Sequence, residues 1–189
     1  MTHNELCQRL LHELPFQTLP LKQKTFHTLS LGINGYLWIV EKGMVLTVRL
    51  TEDGRERGIT LHDAPSLIGV AGMQWENRTG TCYAISDTVL RYVPMRDLLA
   101  LLERDTPLCH AMLLCVSRRL IESYNAMEVH TMGTLEERIM HFEQELASMH
   151  LPDGLSLSEG VTAMALGVHP GSLSRSKKNL KKNRKKDPK

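Results

Sequence analysis

Across residues 16–93 the apolar positions fall in short runs rich in β-branched and aromatic side chains, broken at Gly32, Asn34, Gly35, Gly43, Gly54, Gly58, Gly69, Gly72 and Gly80. Runs of this length between turn formers read as strands. The clearest stretch, GYLWIVEKGMVLTVRLTEDGRERGITLH, predicts strands over 36–40, 44–50 and 58–62. Asp53 and Gly54 supply a turn between the last two, since glycine accepts the positive φ that tight hairpins demand. A meandering barrel or β-roll follows.

On either side the period changes to that of a helix. Residues 5–14 carry Leu6, Leu10, Leu11 and Leu14 at helical spacing and stop at Pro15. After Pro94, MRDLLALLERD reads as a helix, and Thr106 with Pro107 reads as an N-cap followed by a first-turn proline, opening a helix over 106–132. Along it Cys109, Leu113, Val116, Leu120, Ser123, Met127 and His130 recur at alternating spacings of four and three. Such a stripe keeps facing one partner when two helices coil together. It could instead pack on its own barrel, but its persistence favours a dimer interface formed by Leu113, Val116, Leu120 and Met127. Ser123, polar in mid-stripe, either faces a ligand at the subunit boundary or fixes the register.

Further on, GTLEERIMHFEQELASMH begins with Thr134 and Glu137 in capping-box spacing and presents Ile139, Phe142 and Leu146 on one face. A loop at Pro152, Asp153 and Gly154 ends it. Ser158 then caps a helix bearing Val161, Met164 and Ala165, Gly167 allows a sharp turn, Val168 packs under it, and a second helix starts near His169 and Pro170. This is helix-turn-helix grammar.

Composition narrows the class. A chain of 189 residues, 42% hydrophobic and 23% charged, suits one fair-sized globular domain plus a small one. No run approaches the roughly 18–20 apolar residues of a membrane span, and MTHNELCQRLLHELP lacks the basic start and apolar centre of a signal peptide. A cytoplasmic location without membrane attachment is expected. The net charge of +2 hides an asymmetry: residues 175–189 hold nine Lys/Arg and one Asp, while residues 1–174 sum to −6. A basic block of this kind attracts phosphates through counterion release, or it is a solvated tail.

Catalytic and metal signatures are missing from the sequence. It has no G-x-S-x-G, P-loop, H-E-x-x-H or G-x-G-x-x-G, and its nine histidines are dispersed. Cys7, Cys82, Cys109 and Cys115 form no CxxC pair; Cys109 and Cys115 read as small buried hydrophobes of one helix, with a redox pair as the alternative. With His27 and His62 alone in the barrel region, a metal there lacks ligands. No enzyme activity, metal or cofactor is expected.

The order of β-roll, long helix and helix-turn-helix resembles the cyclic AMP receptor/fumarate-nitrate regulator (CRP/FNR) family over about the whole chain. YLWIVEKGMVLTVRLTEDGRERGITLH is similar to its sensor core, SRRLIESYNAM and TLEERIMHFEQELA to its dimer helix and the next helix, and LSEGVTAMALGVHPGSLSR to its DNA-binding motif. The resemblance implies an α+β fold, with a cyclic-nucleotide-binding-like β-roll (jelly roll) sensor over 1–104, a dimerisation helix over 105–132, and a truncated helix-turn-helix domain with basic tail over 133–189. It also implies a homodimeric, DNA-binding transcription regulator.

Carried over residue by residue, the resemblance places a ligand site at Gly69, Arg78 and Thr79, with Ser123 and Tyr124 where the dimer helix meets the base. The family's ribose-holding glutamate is replaced by Val70, which cannot accept a hydrogen bond; losing such a bond costs about 1–3 kcal/mol, so cyclic AMP is not the expected effector. Arg78 then grips another anion or is an ordinary surface arginine. In the reading helix Pro170 and Gly171 stand where the family has base-contacting arginine and glutamate, leaving His169, Ser172, Ser174, Arg175, Lys177 and Lys178 to meet DNA. The apolar stripe thins past Leu173, and no β-hairpin wing follows. The alternative is a sensor and dimerisation protein that acts through protein partners, its DNA-binding domain degenerate.

Overall fold

The computed structural model describes residues 1–51, 56–151 and 154–186. The expected turn at Asp53 and Gly54, the loop residues Pro152 and Asp153, and residues 187–189 of the tail lie outside these.

Helix α1 (His3–Glu13) begins earlier than its leucine spacing suggests, because Thr2 and Glu5 form a capping box. The Thr2 hydroxyl accepts from the Glu5 amide, and the Glu5 carboxylate accepts from the Thr2 amide. Strands β1 (Gln17–Leu21), β2 (Phe26–Leu31), β3 (Tyr36–Lys42), β4 (Met44–Leu50), β5 (Glu56–Asp63), β6 (Ser66–Ile68), β7 (Arg78–Ala84) and β8 (Thr88–Pro94) follow. They form two antiparallel four-stranded sheets, ordered β1-β8-β3-β6 and β2-β7-β4-β5.

Strand β3 explains why the sequence lacks polar alternation there. Leu37 and Ile39 point into a core shared with helices, while Trp38 and Val40 point into the core between the sheets. Each of these four side chains, fully buried or nearly so, contributes about 1.5–3 kcal/mol relative to exposure. The inter-sheet core joins them to Leu29, Val45, Ile68, Cys82 and Leu90.

Helix α2 (Met95–Arg104) leads into α3 (Thr106–Met132). The N-cap of α3 is Asp105, not the expected Thr106: its carboxylate accepts from the Leu108 amide at 2.9 Å. An anion at a helix N-terminus also complements the macrodipole, so aspartate wins the capping position and threonine enters the first turn. Helices α1 and α2 and the start of α3, including Leu108 and Met112, cover the outer face of β3, β6 and β8.

Helix α4 (Leu135–Ser148) has the expected capping box of Thr134 and Glu137. Helices α5 (Glu159–Leu166) and α6 (Pro170–Lys186) complete the described chain. Ile139 and Phe142 of α4, Ala163 and Leu166 of α5, and Leu173 of α6 share one core with Met44, Leu46, Val48 and Leu61 of the β4–β5 hairpin. The C-terminal helices are therefore seated on the roll. Where the apolar pattern thins past Leu173, α6 still continues to Lys186, with Leu180 half-buried against the same core. Among the described residues no helix is long and apolar enough to cross a membrane.

Candidate effector cavity and nucleic-acid interface

A cavity of about 1130 Å³ lies between the roll and the helices α3 and α4. Gly69, Arg78, Thr79 and Ser123, four of the five ligand residues expected from sequence, line it together. Tyr124 does not; its side chain is exposed on the opposite side of α3.

Gly69 adopts φ +97°, a left-handed conformation that starts the short turn Val70–Gly72. That turn sends the Val70 side chain into the core with Leu67 and Met95. Val70 therefore does not line the cavity, although its neighbours Gly69 and Ala71 do. Arg78 lies with its guanidinium 3.9 Å from the centre of the Trp75 ring. Trp75 is held in place by its backbone, whose carbonyl accepts from the Ile33 amide at 2.7 Å. One face of the Arg78 cation is therefore already covered by an aromatic ring.

The wall formed by α3 carries Arg118 and Arg119, with Glu122 one turn further along. Arg119 of α3 donates through Nη2 to the Ser66 hydroxyl at 2.8 Å, and His62 Nδ1 lies 3.2 Å from the same oxygen. Burial, then the charges of Arg119 and His3, push the His62 pKa down to about 3, so its ring is neutral. His3 titrates below its usual range for the same kind of reason, burial first and Arg119 second. Its ring bridges two thiols, with Nε2 3.7 Å from Cys7 Sγ and Nδ1 3.4 Å from Cys115 Sγ. Burial raises Cys7 to about 12. Among the described residues no group of three or more His, Cys, Asp or Glu could hold a metal. Cys109 is exposed, contrary to its reading as a buried hydrophobe, because it falls on the outer side of α3.

That outer side holds Leu113, Leu120, Ile121 and Tyr124, all between 54% and 62% exposed, with Leu114 and Met127, 53% and 56% exposed, at its border with the cavity. The heptad reading named Leu113, Leu120 and Met127; Leu114, Ile121 and Tyr124 complete the patch. Val116, placed with them from the sequence, is half-buried and packs against the protein's own core. A fixed spacing of three and four cannot tell the two sides of a helix that is apolar on both.

In the C-terminal unit, Ser158 caps α5, and Gly167 at φ +62° and ψ +37° makes the turn. His169 caps α6 with its ring: Nδ1 accepts from the Gly171 amide at 3.1 Å. Arg175 folds back on the helix, donating to the Gly171 carbonyl and the Ser172 hydroxyl. Leu173 and Ser176 face inward, leaving His169, Arg175, Lys178, Lys181 and Lys182 exposed, with Ser172, Ser174 and Lys177 at the flanks. Lys181 and Lys182 extend the expected face because the basic tail continues the helix.

Residues 32–105 match the family model of the cyclic nucleotide-binding domain. The chain is similar in structure to FixK2 from Bradyrhizobium japonicum, with a TM-score of 0.74 and 20% identity over 90% of this chain and 86% of that one. It is also similar to the c-di-GMP responsive global regulator CLP of Xanthomonas campestris, with a TM-score of 0.73 and 19% identity over 95% and 92%. A CRP/FNR-family transcriptional regulator from Thermus thermophilus gives 0.67 and 19% over 88% and 87%. No curated protein matches the sequence at a significant level. Residues 32–105 are thus similar to the cyclic nucleotide-binding domain family, and the chain has the fold seen in the CRP/FNR transcription regulators.

Proposed function

We propose that the protein is a homodimeric, DNA-binding transcription regulator of the CRP/FNR type whose roll does not respond to cyclic AMP. The observation that carries this reading is α6. It follows a left-handed glycine turn after α5, buries Leu173 and Ser176, and presents Arg175, Lys178 and Lys182 at helical spacing. Exposed cations on one face of a helix neutralise phosphates and position the protein on the duplex; base reading falls to the few polar side chains at its start. The His169 ring spends Nδ1 on capping, so only Nε2 is left for a base edge. With Gly171 beside it, sequence discrimination is modest and phosphate contact dominates.

The apolar face of α3 is the surface for a second copy of the chain. The roll sits above this helix and shares a core with α5 and α6, so an occupant of the cavity could bias the position of the DNA-facing helices. Burial of Val70 supports the view that cyclic AMP is not that occupant. Genomic footprinting of tagged protein, with and without residues 156–189, tests the DNA reading. Discrete footprints that vanish on truncation are expected. Identical maps for the two proteins would instead favour action through protein partners.

A further inference from the structure

We infer that Cys7 and Cys115 are a thiol pair that a peroxide oxidises to a reversible disulfide, fastening α1 to the long helix α3. Cys7 lies on α1 one turn after His3, and Cys115 comes from α3, which packs directly against α1. One imidazole touches both sulfurs: His3 Nε2 is 3.7 Å from Cys7 Sγ, and Nδ1 is 3.4 Å from Cys115 Sγ. Both cysteines belong to the core that holds Leu6, Leu10 and Met112. The remaining cysteines lie elsewhere, Cys82 between the sheets and Cys109 on the outer side of α3.

Access fixes the order of events. Cys115 is half-buried and lines the cavity, so a small oxidant reaches it, whereas Cys7 is fully buried. Burial also pushes the Cys7 thiol up to about 12, which keeps it protonated and slow toward peroxide. The Cys115 sulfur attacks one peroxide oxygen, the O–O bond breaks, and the departing hydroxide takes the thiol proton as water, leaving a sulfenic acid. The Cys7 sulfur then attacks the Cys115 sulfur, the S–S bond forms and the S–O bond breaks. The Cys7 proton passes by way of His3 Nε2 to the departing hydroxide, which leaves as water. Two thiols are oxidised and one peroxide is reduced to two waters.

His3 suits this transfer because burial, then the charge of Arg119, holds its pKa below the usual histidine range, so the ring has a bare nitrogen to receive a proton. A disulfide needs Cα atoms within about 7 Å, a separation that facing positions of directly packed helices reach. His3 is the first residue of α1 and borders the cavity, so its ring has room to turn aside as the sulfurs meet. In a reducing compartment the pair stays as dithiol and closes only under oxidant. The bond would close a loop that contains all eight strands of the roll. This chemistry is independent of whether the protein binds DNA.

The test uses full-length Cys109→Ser protein, because Cys109 and Cys115 share the tryptic fragment 105–118. Hydrogen peroxide should join fragments 1–9 and 105–118 in mass spectrometry, and dithiothreitol should separate them. The oxidised protein should melt about 4 °C or more above the reduced one. Adding Cys7→Ala should leave Cys115 as a sulfenic acid that dimedone labels, and adding Cys115→Ser instead should leave Cys7 unlabelled. The inference is overturned if fragments 1–9 and 105–118 stay separate, if Cys7 joins Cys82 instead, or if dimedone labels Cys7 in the protein lacking Cys115.

Discussion

Gly58 on β5 and Ala165 on α5 approach so closely that a Cβ built on the glycine would lie 2.6 Å from the alanine Cα. No rotamer relieves such a clash, since both atoms belong to main chain or its first branch. Gly58 also borders the register shift in the β4–β5 ladder between Thr47 and Val48, where the extra residue turns the strand toward the helix. This contact, with Arg138 donating to the Leu166 carbonyl at the end of α5, seats the helix-turn-helix on the roll.

Gly58→Ala therefore should push α5 off β5 and open the shared core. A loss of about 1–3 kcal/mol is expected, the usual range for overpacking, read as a lower urea midpoint. Unchanged stability would mean that α5 is not held against the strand in solution.

The patch on α3 predicts association. Ile121→Glu places a charge in the middle of Leu114, Leu120 and Tyr124, all more than half exposed in the single chain. Light scattering should report a dimer for the parent and a monomer for the variant, with the circular dichroism of the chain retained. A monomeric parent protein would contradict the dimer.

Stability should fall in acid through His62. Its pKa is about 3 when folded, against 6.5 for the free side chain, so below pH 6.5 the unfolded chain takes up a proton that the folded one refuses. The stability present above pH 6.5 is lost as pH falls toward 3, on the order of 1 kcal/mol per pH unit for this one group. The positive neighbours Arg119 and His3 act in the same direction as burial. His62→Gln keeps a polar group beside Ser66 but cannot titrate, so urea titrations between pH 7 and 5 should show a shallower decline than the parent.

Much of the fold was legible because local rules and burial agreed. Strand runs around Ile39 and Leu46, the capping box at Thr134 and the turn at Gly167 each name their own geometry. Long-range packing left no such mark. That Leu46, Phe142 and Leu166 meet in one core depends on how the hairpin folds back on α4 and α5, and no local spacing states it. The cap of α3 moved to Asp105 because a carboxylate competed with a neighbouring hydroxyl.

In the site, the family motif led to Gly69, Arg78 and Thr79 but not to Arg119. Its place in the site comes from its hydrogen bond to Ser66, 53 positions away in sequence. The two-sided apolar character of α3 likewise concealed which leucines face outward.

The reading of α6 as a DNA-contacting helix is tested most directly by the salt dependence of affinity for a fluorescent duplex of about 30 base pairs, between about 50 and 200 mM salt. The parent protein should lose affinity steeply over that range. Replacing Lys178 and Lys182 together with glutamine should reduce the slope of log K against log salt by about 1.8 per protomer, since each phosphate contact contributes about 0.9. A parent slope near zero, or a doubly substituted protein with the parent's slope, would contradict it.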